Sequence, residues 1–221
     1  MSHGVVAAEL VRWSWVGGHL DDIGGYLGCH ISLTASAVAY GFAIAFPMAL
    51  ATLRWPRLYT PLLGVTGMLF TIPSLALFVL LLPFTGLSRT SALIGLTSYT
   101  LLILLRNTVE GLRGVPRDVR EAAQAMGYTR ARQLLRVDLP LALPAIVAGL
   151  RIATVTTIGL VTVTALIGQG CLGRLFLDGF LRDFPTPLVV GMVLSIALAV
   201  AADLALLGLQ RVLSPWQHGS R

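Results

Sequence analysis

The chain has 221 residues, 56% of them hydrophobic and 12% charged; soluble domains carry about 25% charged residues, so a bilayer is the solvent this composition suits. All sixteen basic residues are arginine, the net charge is +6, and there is no lysine. A phosphate loop of the G-x-x-x-x-G-K-[ST] type is therefore excluded, and with it ATP hydrolysis by that route.

At the N-terminus no basic stretch leads into an apolar run, so no cleavable signal peptide is expected and targeting falls to the first membrane helix. Residues 1–29 read as an extracytoplasmic or interfacial segment. Within it, residues 5–16 carry Trp13 and Trp15. They fit either a stretch lying at the outer interface, where tryptophan is favoured, or a loosely ordered end. Cys29 and Cys171 lack metal-ligand spacing and read as two buried, small apolar side chains.

A helix that crosses the hydrocarbon needs about 20 mostly apolar residues. Five stretches qualify, at approximately 31–53, 58–82, 90–110, 141–167 and 187–210. They are long and continuously apolar rather than alternating, which excludes a closed barrel. The fold class is an all-α polytopic membrane protein, with a membrane domain over 30–213 and a tail over 214–221. Eleven arginines lie after spans one, three and five, and four lie on the other side. The positive-inside rule makes the first side cytoplasmic, which puts the N-terminus outside and the C-terminus inside.

Pro73 interrupts the second span near mid-membrane, where a lost helical hydrogen bond needs a replacement partner or a water-lined cavity. Thr71 and Ser74 flank it. Two readings stay open: a kink repaired by its neighbours, or a broken helix bordering a solute path.

The stretch 113–140 is the cytoplasmic loop. Pro116 suits a first helical turn, and Val119, Ala122, Ala123 and Met126 share one helical face. Gly127 is a place to end that helix, Thr129 to cap a second, and Pro140 to stop the second before span four. Anionic headgroups would attract such an arginine-rich loop. The small side chains at Ala122 and Ala123 favour close approach to a protein surface instead.

In span four, Thr154, Thr157 and Thr164 share a face and fit either a pathway lining or helix-to-helix packing. Arg151 and Asp203, the two charges set deep within the spans, fall at similar depth. Isolated charges are costly there, so an ion pair tying spans four and five is expected. Tyr40, Phe42, Phe70 and Tyr99 are scattered and form no evident aromatic cage for a quaternary ammonium group.

Glu121-Ala122-Ala123, three residues, Gly127, nine residues, then Val137, any residue, Leu139 and Pro140 resemble the EAA loop of ABC-importer permeases in residue type and spacing. "FTIPSLALFVLLLP", "LLRNTVEGL", "AGLRIATVTTIGLVTVTALIGQGCLG" and "AADLALLGL" are similar to the subfamily that takes up quaternary ammonium osmolytes: glycine betaine, choline, carnitine or proline betaine. The resemblance covers roughly residues 30–212, with Phe70 where a glutamine is frequent and Gln169-Gly170-Cys171 where small residues are usual.

The resemblance implies a five-transmembrane-helix type I, MetI-like permease core in the bacterial inner membrane, with no enzymatic site and no cofactor or metal. Glu121, Ala122, Ala123 and Gly127 would dock on separate ATP-binding ABC ATPase subunits, with Leu139 and Pro140 as the junction to span four. A second permease chain, identical or homologous, and an extracytoplasmic substrate-binding protein complete the implied assembly; nucleic acid has no place in it. The alternative within transporters is a permease for methionine or another small amino acid. An intramembrane enzyme lacks support: neither H-E-x-x-H nor G-x-S-x-G occurs. A passive scaffold using the basic loop on lipid is the third reading.

Overall fold

The computed structural model describes residues 11–214, and among them every regular element is helical. The α-helices are α1 (Trp13–Gly18), α2 (Leu20–Arg54), α3 (Tyr59–Thr71), α4 (Ser74–Thr85), α5 (Arg89–Arg113), α6 (Arg117–Ala125), α7 (Arg130–Gln133), α8 (Leu139–Val163), α9 (Gly173–Leu181) and α10 (Pro185–Leu213). Among the described residues four helical stretches are long and apolar enough to cross a membrane, and α3 with α4 makes a fifth if that broken pair is one span.

The second span is two helices. Pro73 has φ −55° and ψ 132°, extended values that interrupt the helix after Thr71. α2 starts at Leu20, eleven residues ahead of the expected span, with Asp21 and Asp22 in its first turn, where carboxylates suit the helix dipole. Of the interfacial segment at 5–16, residues 5–10 lie outside the described residues, as do residues 215–221 of the tail. The remainder includes α1, with Trp13 largely exposed.

Contacts divide the chain into two compact units. The first, here the stapled unit, comprises the described residues within 1–37, 72–97 and 155–201. Leu33, Phe78, Leu96, Val161, Ile167 and Cys171 are buried in its main core. A second cluster gathers Ile23, Leu172 and Leu175 with Trp15 and Tyr26. Cys29 and Cys171 form a disulfide across 142 residues of sequence. This corrects the expectation of two free thiols; nothing in their spacing announces a partner so distant. Beside it, the buried His30 shares a 3.0 Å hydrogen bond between Nε2 and the Ile158 carbonyl. At Gly173 a Cβ would stand 2.1 Å from the Thr162 carbonyl oxygen, so backbone meets backbone there.

The second unit, the loop unit, comprises the described residues within 38–71, 98–154 and 202–221. Ala45, Ala49, Leu104, Leu105, Val109 and Ala153 form one core cluster, and Leu112, Ala142 and Ile146 another. Small residues let α5 and α8 approach closely: a Cβ on Gly149 would lie 2.6 Å from that of Asn107, and one on Gly111 2.8 Å from that of Ala145.

Candidate functional site in the loop between α5 and α8

Pro116, with φ −57° and ψ 144°, stands just ahead of α6 as its N-cap rather than inside the first turn. Asp118 follows in that turn, on the favourable side of the helix dipole. α6 ends in a chain reversal: Gly127 has φ 77°, a conformation glycine adopts cheaply. The Tyr128 amide donates to the Ala123 carbonyl at 3.1 Å, satisfying one of the carbonyls a helix end leaves open. Thr129 then caps α7, its hydroxyl accepting from the Arg132 amide at 3.4 Å.

The second short helix does not stop at Pro140. α7 continues through a π-helical turn, Leu134–Asp138, directly into α8, and the helical run lasts from Arg130 to Ile167. A proline crowds the carbonyl four residues behind it, and the wider π turn just ahead of Pro140 relieves that crowding.

α6 shows two faces. Arg120 and Ala123 turn inward, Ala123 buried and Arg120 partly buried, while the exposed Gln124 reaches back to hydrogen-bond Gln133 at 3.3 Å. Val119, Glu121, Ala122 and Met126 are exposed, Met126 at 68%. Of the four residues expected to share one helical face, only Ala123 is buried; Val119, Ala122 and Met126 are open. Leu139 and Pro140, both half-buried, line an open apolar groove with Phe42, Phe46, Leu135 and Leu143.

The sequence reading missed what holds α6 in place. The Arg120 guanidinium donates from Nε to Asp138 Oδ1 at 2.9 Å and from its terminal nitrogen to the Leu112 carbonyl. The only sequence signal was the i, i+4 spacing of Arg120 and Gln124, which puts both on one helix face.

Other candidate residues fall as follows. In the loop unit, Arg151 donates to both carboxylate oxygens of Asp203, at 2.8 and 2.7 Å, and so joins α8 to α10. Phe70 and Tyr99 meet edge to face at 5.9 Å. Thr71 is exposed, its hydroxyl donating to the Met68 carbonyl at 2.8 Å, and Thr154 is half-buried.

In the stapled unit, Pro73 is exposed and Ser74 half-buried. Thr157 and Thr164 are buried at 1% and 0% exposure, and the Thr164 hydroxyl returns to the Val161 carbonyl. Of the two readings open for this face, the burial of these two side chains favours packing.

The sequence matches the description "Binding-protein-dependent transport system inner membrane component" over residues 41–218. This chain belongs to that family. Relatives of this inner membrane component include the osmoprotectant import permease protein OsmW of Salmonella typhimurium. That protein is 37% identical over 206 residues, with 89% of this chain and 96% of the relative covered. The choline transport system permease protein OpuBB of Bacillus subtilis is 34% identical, covering 84% of this chain and 86% of its own. The carnitine transport permease protein OpuCB of Listeria monocytogenes is also 34% identical, with 84% and 85% covered.

Among solved structures, the inward-facing MetNI methionine ABC transporter aligns with a TM-score of 0.76 at 23% identity, over 86% of this chain and 95% of that one. An amino acid ABC transporter crystallised with histidines aligns at 0.75 and 17%, over 91% and 98%. At such identities these two show the fold alone, which is that of a MetI-like permease. The inner membrane component is thus an ABC importer permease and a multi-pass inner-membrane protein. Its family implies an ATPase and a substrate-binding protein as partners.

Proposed function

We propose that this permease carries a quaternary ammonium osmolyte, such as glycine betaine, choline, carnitine or proline betaine, and that its loop couples the movement to ATP hydrolysis on separate subunits. The observation that carries the coupling is the outer face of α6. Val119, Glu121, Ala122 and Met126 stand exposed beside the Gly127 turn, on a helix whose other face is anchored. A face of small and apolar side chains around one carboxylate, on a fixed helix, suits insertion into a cleft on a partner protein.

Arginine placement supports an outside N-terminus and a cytoplasmic loop and C-terminus. The disulfide supports the same orientation, because such bonds persist in oxidising compartments, and Cys29 and Cys171 both fall on the side assigned outside. The substrate class rests on the relatives named above, which concern osmoprotectant, choline and carnitine transport. A methionine substrate has support only from the fold neighbour. One set of five spans encloses a pathway poorly, so a second permease chain, identical or homologous, completes it. The Arg151–Asp203 pair ties α8 to α10 as a structural element, and the broken span at Thr71–Pro73–Ser74 borders the solute path.

The test is uptake in vesicles containing the permease with its ATPase and binding protein. Labelled betaine or choline is expected to accumulate with ATP, and methionine is not. Accumulation of methionine alone would reverse the substrate assignment. A cysteine placed at Gly127 is expected to react with a membrane-impermeant maleimide only from the ATP-accessible side; reaction from the opposite side would overturn the coupling reading.

A further inference from the structure

We propose that Arg120 is a positioning residue for coupling, and that with Asp138 it locks the docking helix α6 to the ends of two spans so that force on α6 moves both together. The proposal rests on the reading of α6 as the docking element and goes beyond it, because none of the network residues belongs to the docking face.

Each end of α6 has its own tether. Through Arg120, α6 reaches the Leu112 carbonyl in the last turn of α5. Helix-end carbonyls lack partners within their own helix and carry partial negative charge, so a guanidinium there satisfies an otherwise open acceptor. The same guanidinium holds the Asp138 carboxylate, one residue before α8 begins. A planar, forked cation can serve a carbonyl and a carboxylate at once; an ammonium is a single point charge.

One turn further along α6, Gln124 donates to Gln133 Oε1 at 3.3 Å, and the Gln133 amide donates to Asp138 Oδ2 at 3.5 Å. Residues five apart are brought to one side by the i→i+5 pattern of the π turn, and this is how Gln133 reaches Asp138. The connections close a ring: Arg120, Asp138, Gln133, Gln124, and back along α6.

Asp138 and Gln133 are buried at 8% and 9% exposure, although both are polar. Buried polar groups with partners fix one arrangement, because any other arrangement leaves a donor or acceptor unsatisfied. Replacing the ring by apolar contacts would keep the loop folded but permit α6 to rock. The ring thus fits a role in which rigidity, rather than stability, is the selected property. A docking helix that rocks on its mount dissipates the displacement delivered by its partner; one pinned at both α5 and α8 passes it to both.

The experiment uses the assembled transporter in proteoliposomes and measures ATPase attachment, ATP hydrolysis and solute taken up per ATP. In Arg120→Ala the outer face of α6 is intact, so the ATPase is expected to stay attached and to hydrolyse ATP, while solute per ATP falls by about tenfold. Arg120→Lys is expected to recover part of the ratio, since it keeps the charge but loses the fork. If Arg120→Ala does not fold, Asp138→Asn, an isostere that weakens the pair, decides through the same ratio.

An unchanged ratio in the folded variants overturns the proposal. So does a parallel fall in hydrolysis, uptake and thermal stability, which is the signature of a merely structural contact. Ala122→Trp separates this from the reading beneath it. Bulk on the docking face is expected to release the ATPase, and if attachment survives, it is the docking assignment that fails.

Discussion

The stapled unit is held by a covalent bond and by backbone contact at Gly173, whereas the loop unit is held around α6 by a ring of hydrogen bonds among Arg120, Gln124, Gln133 and Asp138. The first kind of connection has no alternative partner: a disulfide does not exchange with water, and a site with no room for a Cβ admits no shift. The second kind is directional but remakeable. The difference teaches that this permease fixes one unit by covalent and steric contact and the other by directional polar bonds. A segment gripped by a moving partner must be stiff against rocking yet able to respond.

Substitutions can break or sharpen this contrast. The largest effect is expected at Gly173, where valine would drive its Cβ into the Thr162 carbonyl. A loss of about 3 kcal/mol or more would leave little folded protein after detergent extraction and size-exclusion chromatography. Wild-type yield would show that the stapled unit is softer than described.

Next, Cys29→Ser with Cys171→Ser removes the bond that closes the longest loop in the chain. A loss of about 3 kcal/mol, or roughly 10 °C in Tm, is expected in thermal unfolding of the purified protein. A reductant should lower the wild-type Tm similarly and leave the double variant unmoved.

Gly127→Val tests the loop unit. Nothing lies within 4 Å of the position a Cβ would take, so the cost is conformational: about 1–2 kcal/mol for a left-handed backbone. Weaker co-purification of the ATPase is the expected result, with Gly127→Asn retaining most of it because asparagine visits this region more readily.

The smallest effect belongs to Thr129→Ala. Loss of the cap on α7 costs about 1 kcal/mol and should appear as faster amide exchange over residues 130–133, with no change in the stapled unit.

The legible parts of the molecule were those where lipid leaves the chain few choices. The apolar spans and the pairing of Arg151 with Asp203 both follow from the cost of polar groups in hydrocarbon. The Glu121–Pro140 pattern was legible through its spacing, and the Gly127 turn and the Thr129 cap through local backbone chemistry.

The rest was hidden for identifiable reasons. Glycines at 24, 25 and 28 obscured the early start of α2, whose helix continues there on packing of Ile23 and Tyr26 with Trp15 rather than on propensity. A disulfide across 142 residues has no local signature. The Arg120–Asp138 pair depends on a π turn that no periodicity announces, and that same turn carried the helix past Pro140. Threonine spacing was correct as helical geometry but silent on which way the face of Thr157 and Thr164 would turn.

The distance in sequence between the two cysteines sets a schedule for biogenesis. At about 5–20 residues per second of synthesis, Cys29 is made on the order of ten seconds before Cys171 exists. With Cys29 on the outer side, as proposed above, the first thiol stands unpaired before the envelope's oxidants throughout that interval, open to capture by any foreign thiol nearby. A cell that makes much of this permease therefore needs either delayed oxidation or a disulfide isomerase, and overproduction should first show itself as cross-linked, wrongly joined chains.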